Sequence, residues 1–314
     1  MEVKRPGETT GRPKLAVFPK GFFDDLVARR MKLSTWIELA ATLDVDGIEM
    51  YPAFMERDDP TYRRAVRRQI EEAGLTMPML CHSPDFTRPS AAERRREIER
   101  AKAMIELTVE LGGEFCRVLS GQRRPGVGRE EGLKWVIDCI EQLLPLAESA
   151  GVVLTLENHY KDGTWEYPEF AQDQELFLQI LEAIDSPWLK VQYDPSNAVV
   201  AGDDPYELLE RVADRVATMH ASDRYLQGGS VEDLVKLDAD PQHGYAPFLR
   251  HGVIGQGFND FDRIFARLAR AGFAGWVSIE DGDAPTIEQG MENLRLSAGF
   301  CRRKLAEHFP REGA

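Results

Sequence analysis

Short apolar runs recur along this chain at intervals close to thirty residues, and a longer amphipathic segment fills each interval. That alternation limits the possible folds more than any other feature. Runs such as KLAVFP, DGIEMY, TMPMLCH, EFCRVLS, VVLTLEN, LKVQYD, VATMHA and GWVSIE read as strands buried on both faces. Buried strands joined by helices make a parallel sheet. Segments such as LSTWIELAATL, TYRRAVRRQIEEAG, AAERRREIERAKAMIELTVELGG and EEGLKWVIDCIEQLLPLAESAG carry the helical period, and several end in Gly where a helix C-cap belongs. Eight such units predict an α/β chain closed as a (β/α)₈ barrel. No Gly-rich dinucleotide fingerprint follows the first strand, which argues against an open doubly wound sheet.

The predicted strands end near Pro19, Met50, His82, Leu119, Asn158, Asp194, His220 and Glu280, so successive intervals run from 26 to 39 residues until the last, which is 60. The excess, residues 225–256, predicts a long loop after the seventh strand. Barrel enzymes build their sites on that face, and a long loop there reads as a lid or a substrate wall. With residues 1–13 as an N-terminal extension and no linker inside, residues 1–314 read as one barrel domain.

The formal charge of −14 argues against nucleic acid as a partner, and the Arg-rich stretches sit among Glu residues in helix-like segments. No apolar stretch is long enough to span a membrane, and the N-terminal MEVKRPGETTGRPK lacks the apolar region of a secretory leader. Cys81, Cys116, Cys139 and Cys301 show no paired spacing, which suits reduced thiols in a cytoplasmic protein.

Four of the predicted strands close on residues that carry chemistry: Glu157, Asp194, His220 and Glu280. In a barrel these side chains converge on one mouth. At about 4 Å and an effective dielectric near 20, each pair of carboxylates there costs about 4 kcal/mol. Either most of them protonate or a dication holds them. Three carboxylates and one imidazole suit Mn²⁺ first, with Mg²⁺, Co²⁺ or Zn²⁺ also compatible, better than they suit a thiolate-rich structural zinc site. Two open coordination positions would accept a carbonyl and a neighbouring hydroxyl of a sugar, acidifying the C–H between them through a metal-stabilised enediolate. Glu157 and Glu280, on opposite faces, would then exchange protons with the substrate.

The motifs LENH, YDPSN, MHASDR, GQGFNDFDRIF and GFAGWVSIEDG resemble those of the sugar phosphate isomerase/epimerase group of xylose isomerase-like TIM barrels. That group takes in ketose 3-epimerases, inosose dehydratases and the endonuclease IV type of AP endonuclease. The resemblance implies Glu157, Asp194, His220 and Glu280 as metal ligands, with Glu157 and Glu280 as the acid/base pair. It implies a sugar or polyol substrate and a homo-oligomer, dimer or tetramer, and leaves room for an accessory subunit. The epimerases typically carry a His three residues after the metal-binding Asp, where this chain has Asn197, and their Arg stands further along than Arg224. Isomerase or epimerase chemistry is therefore the leading expectation. A lyase of the same fold, an inosose-type dehydratase or the barrel subunit of an enzyme cleaving 3-keto C-glycosides, is the alternative, and a non-catalytic metal-bearing sugar-binding protein is the third. The endonuclease branch needs about three zinc ions and many more histidines.

Further candidates for substrate contact lie near the same strand ends. His82 and Asp85 follow the third strand in CHSPDF, and Glu49 with Tyr51 closes the second. Arg117 in the fourth strand needs a carboxylate partner, which Glu49 or Glu157 could supply. His159 stands two residues after Glu157, Asp223 could orient His220, and Asn197, Arg224 and His251 complete the set. Gly255-Gln256-Gly257 before a helix start is a weak phosphate-cradle signal. Phe18, Phe54, Phe86 and Trp165 are candidates for an apolar wall.

Overall fold

The computed structural model describes residues 11–229, 249–282 and 284–310. Eight parallel strands form the barrel: β1 (Lys14–Val17), β2 (Gly47–Ile48), β3 (Met79–Cys81), β4 (Phe115–Val118), β5 (Val153–Glu157), β6 (Leu189–Tyr193), β7 (Val216–Ser222) and β10 (Trp276–Glu280). Their order runs β2-β1-β10-β7-β6-β5-β4-β3, and bridges Gly47 to Thr76 and Met50 to Leu80 bring β2 back to β3. The α/β barrel predicted from the alternation is the fold observed. Every predicted strand end falls within two residues of an observed one, because each apolar run is buried on both faces; β4, β5 and β10 have no exposed position.

Inside the barrel, side chains from alternate strands meet in layers. Thr155 and Thr218 direct their hydroxyls at the Met79 sulfur, 3.4 and 3.7 Å away, so β3, β5 and β7 share one level. Nearer the C-terminal mouth the levels turn polar, with Glu49, Arg117, Gln192, Glu157 and His220 all buried.

One predicted helix divides. The segment beginning EEGLKWVIDCIEQLL is two helices, Arg129–Glu141 and Leu144–Ala150. Pro145 is the reason: it has no N–H for a continuing helix and is tolerated only in a first turn. Of residues 225–256, the described part is an antiparallel ribbon of β8 (Arg224–Leu226) and β9 (Leu249–His251), followed by a turn; residues 230–248 of the predicted loop lie outside the described residues, as do residues 1–10 of the predicted extension. No helix among the described residues is long and apolar enough to cross a membrane. All four cysteines are buried and free.

Gly275, the residue just before β10, allows a close backbone approach in the barrel wall. A Cβ there would stand 1.9 Å from the Ala217 carbonyl oxygen, so any side chain must push β10 away from β7. Gly275→Ala should cost at least about 2 kcal/mol, read as a lowered urea midpoint. An unchanged midpoint would mean the strands part here without penalty.

Candidate metal centre

The mouth is built by strand endings. Glu157 is the last residue of β5 and Glu280 the last of β10, while His220 lies inside β7. Asp194 follows β6 directly and is the N-cap of the helix Pro195–Ala201, with Pro195 at the first helical position. One donor atom from each of the four residues lies within 4.8 Å of the others, and all four residues are buried.

Each of the four has one polar atom tied back to the protein and another turned inward. Glu157 Oε2 accepts from Arg117 at 2.8 Å, and Asp194 Oδ1 accepts from the Asn197 amide at 3.0 Å. His220 Nε2 lies 2.9 Å from Glu49 Oε2, and Glu280 Oε1 lies 3.0 Å from Lys20 Nζ. The remaining atoms of the first three, Glu157 Oε1, Asp194 Oδ2 and His220 Nδ1, are buried without a hydrogen-bond partner. His220 Nδ1 stands 3.2 Å from Glu157 Oε1 and 3.1 Å from Glu280 Oε2. Unpaired buried polar atoms are costly, and here they face one another. A divalent cation fits this donor set.

The electrostatics agree. Burial raises the Asp194 carboxyl, and the charges of Glu280 and Glu157 help push it up to about 7. Burial lowers His220, but Glu49, Glu280 and Glu157 outweigh it and hold the ring well above the usual imidazole range. The set competes for positive charge, and a dication satisfies it without protons. Burial would also raise Glu157, yet Arg117 dominates and holds that carboxyl at about 2.

The other candidates divide. A cavity of about 430 Å³ adjoins the centre, and Phe18, Lys20, Tyr51, Arg117, His159 and Glu280 are among its walls. His159 Nδ1 lies 3.4 Å from Glu169 Oε2. His82 is driven to about 3 by burial and by Arg117, so it is neutral. Arg117 takes Glu157 as its partner, which leaves Glu49 to hold His220 from behind, away from the cavity. Arg224 is buried and reaches Asn197 Oδ1 at 3.5 Å. His251 is pushed well below the usual range, by burial first and then by Arg224 and Lys20.

Two candidates are engaged elsewhere. Asp85 is bound by Arg124, Arg88 and the Gln122 side chain, tying together the loops after β3 and β4. Asp223 accepts from the amides of Gly255, Gly257 and Asn259, so it caps the turn after the ribbon and does not reach His220. The same bonds remove the phosphate cradle, since the chain's own carboxylate takes those glycine amides. Phe54 and Phe86 are fully buried in the core, and Phe18 packs 6.0 Å from the His220 ring.

Sequence reasoning passed over Gln192 and Lys20. Gln192 Nε2 lies 2.8 Å from His220 Nε2. Its signal was available, because a polar residue two before Asp194 in an apolar strand shares that residue's face. Lys20 sits just past β1 in PKGF with no periodic pattern to mark it. Asp162 and Glu169, on the loop after β5, likewise carried no signal that sets them apart from surface acids.

A family profile described as xylose isomerase-like TIM barrel matches residues 37–297. The inosose dehydratase of Geobacillus kaustophilus (strain HTA426) is 26% identical over 177 residues, which is 55% of this chain and 53% of that protein. The chain therefore matches about half the length of such relatives. Among solved structures, the IolI protein with a bound zinc atom superposes with a TM-score of 0.72 at 17% identity, covering 95% of this chain and all of that one. D-psicose 3-epimerase in the presence of D-fructose gives 0.72 at 13% identity, covering 93% and 99%. Both likenesses are of fold.

Glu49→Gln should weaken divalent-metal affinity by about 10- to 100-fold while leaving the fold intact, measured by competition with a chelating dye. Unchanged affinity would remove Glu49 from the centre's support. Asp194 must lose its proton to bind the ion, so affinity should fall as pH drops through about 7. A flat affinity between pH 8 and about 5.5 would contradict this.

Proposed function

Because the chain belongs to the xylose isomerase-like TIM barrel family, we propose that it is a divalent-metal-dependent enzyme moving a proton at the carbon beside the carbonyl of a keto sugar or related polyol, as an isomerase or epimerase. The observation that carries this reading is the set of four tied-back ligands, with three unpaired donor atoms, at the edge of a polar cavity. Glu157, Asp194, His220 and Glu280 would hold the ion, Mn²⁺ in our reading. When bound, it would polarise a carbonyl and its neighbouring hydroxyl.

Glu280 lines the cavity, and its outer oxygen is held by Lys20, whose side chain is 36% exposed. A contact at a solvated cavity edge yields readily to a substrate. We assign Glu280 as the base that takes the proton. Glu157 is less free, because its outer oxygen is bonded to the buried Arg117. Returning a proton from Glu157 requires that pair to loosen. Arg117 thus biases proton traffic toward Glu280.

That inequality supports a second reading, a lyase. There Glu280 would take the proton and the C–O bond at the next carbon would break. His159, lining the same cavity and backed by Glu169, would protonate the departing hydroxyl so that it leaves as water. Relatives named inosose dehydratase favour it.

With Mn²⁺ in D₂O, D-fructose or an inosose should acquire deuterium beside the carbonyl; an unsaturated ketone in place of simple exchange selects the lyase. Glu280→Gln, saturated with Mn²⁺, should lower the rate at least about 100-fold. A variant that still turns over at the parent rate would end the assignment of Glu280.

A further inference from the structure

His251 closes the ribbon and pairs with Arg224 across it. Its backbone is wedged against the exit of β10: a Cβ on Gly282, two residues past Glu280, would stand 2.4 Å from the His251 carbonyl oxygen. The charges of Arg224, Lys20, Glu280 and His220, from the ends of β1, β7 and β10, bear on the ring. Yet neither ring nitrogen meets a hydrogen-bond partner among the described residues, although both are buried. His159 faces Glu169, His220 faces Glu49 and His308 faces Asp262. An unpaired buried polar group costs about 1–3 kcal/mol, and His251 carries two. Packing against Gly282 holds this residue beside the exit of the strand that ends in Glu280, and its own polar atoms contribute nothing to that position. Such a ring obtains its partners from what binds there.

We propose that His251 is a substrate-contacting residue that hydrogen-bonds a free hydroxyl group of a polyol bound at the metal centre. The inference rests on the function proposed above and narrows its substrate class. A neutral imidazole donates from one nitrogen and accepts at the other. A hydroxyl matches that pair because it also donates and accepts. A phosphate ester, which offers mainly acceptors, uses only half of it. The glycine amides that would otherwise serve a phosphate are already bonded to Asp223. The ribbon is therefore the element that brings a polyol-reading imidazole to the centre.

The test uses the full chain saturated with Mn²⁺, titrated calorimetrically with D-fructose, L-ribulose, an inosose and D-fructose 6-phosphate. His251→Phe should weaken the best-bound free polyol by about tenfold or more while one Mn²⁺ per chain is retained. His251→Gln, which keeps a donor and an acceptor, should recover most of that loss, as packing alone would not. The phosphate should bind no better than the free sugar. Unchanged affinity in His251→Phe overturns the inference, as does a clear preference for the phosphate. If the parent protein shows deuterium exchange but the variant binds as the parent does, only the role of His251 falls. If the Mn²⁺-loaded parent neither binds nor exchanges any of these compounds, the functional reading falls and this inference with it.

Discussion

Mutual repulsion among buried carboxylates governs the mouth of this barrel. Glu157, Asp194 and Glu280 are all buried, with Glu49 just behind them. Such a cluster is tolerable only if each charge is offset, and the surrounding residues do this in an orderly way. Arg117 and Lys20 take one oxygen of each glutamate, the start of a helix takes one oxygen of Asp194, and Glu49 takes the outer nitrogen of His220. What remains, Glu157 Oε1, Asp194 Oδ2 and His220 Nδ1, points inward without a hydrogen-bond partner. The arrangement explains why so much of the inner barrel is polar in a chain whose strands look apolar.

The supports also make the centre unequal. Arg117 is buried and Lys20 is part-exposed, so two glutamates that look alike in sequence meet different conditions. What such a centre does depends on neighbours of this kind, because the donor set alone is compatible with several outcomes.

The fold was legible because eight apolar runs and their spacing leave few alternatives, and the strand ends could be located to within two residues. The four candidate donors were nameable because each stands at or near the end of an apolar run. Contacts between distant loops were not legible: nothing in the sequence pairs Asp85 with Arg124 or sends Asp223 to the glycine amides. Glu49 was nameable as a strand-end acid, but its partner depends on which barrel layer it occupies, and that depends on strand stagger. Pro145 was a local signal that helical periodicity overrode.

Asp194 has two occupations, since one oxygen faces the candidate metal centre while the other starts a helix. A lineage that abandoned the chemistry could let Glu157 or Glu280 drift freely, once their cationic partners drifted too. At position 194 drift has a narrower exit. Asn and Ser cap a helix about as well as Asp and remove the carboxylate charge there, whereas most other replacements fray the helix first. Loss of function in this architecture should therefore leave a fossil: an Asn or a Ser at the head of that helix, marking where a carboxylate once stood.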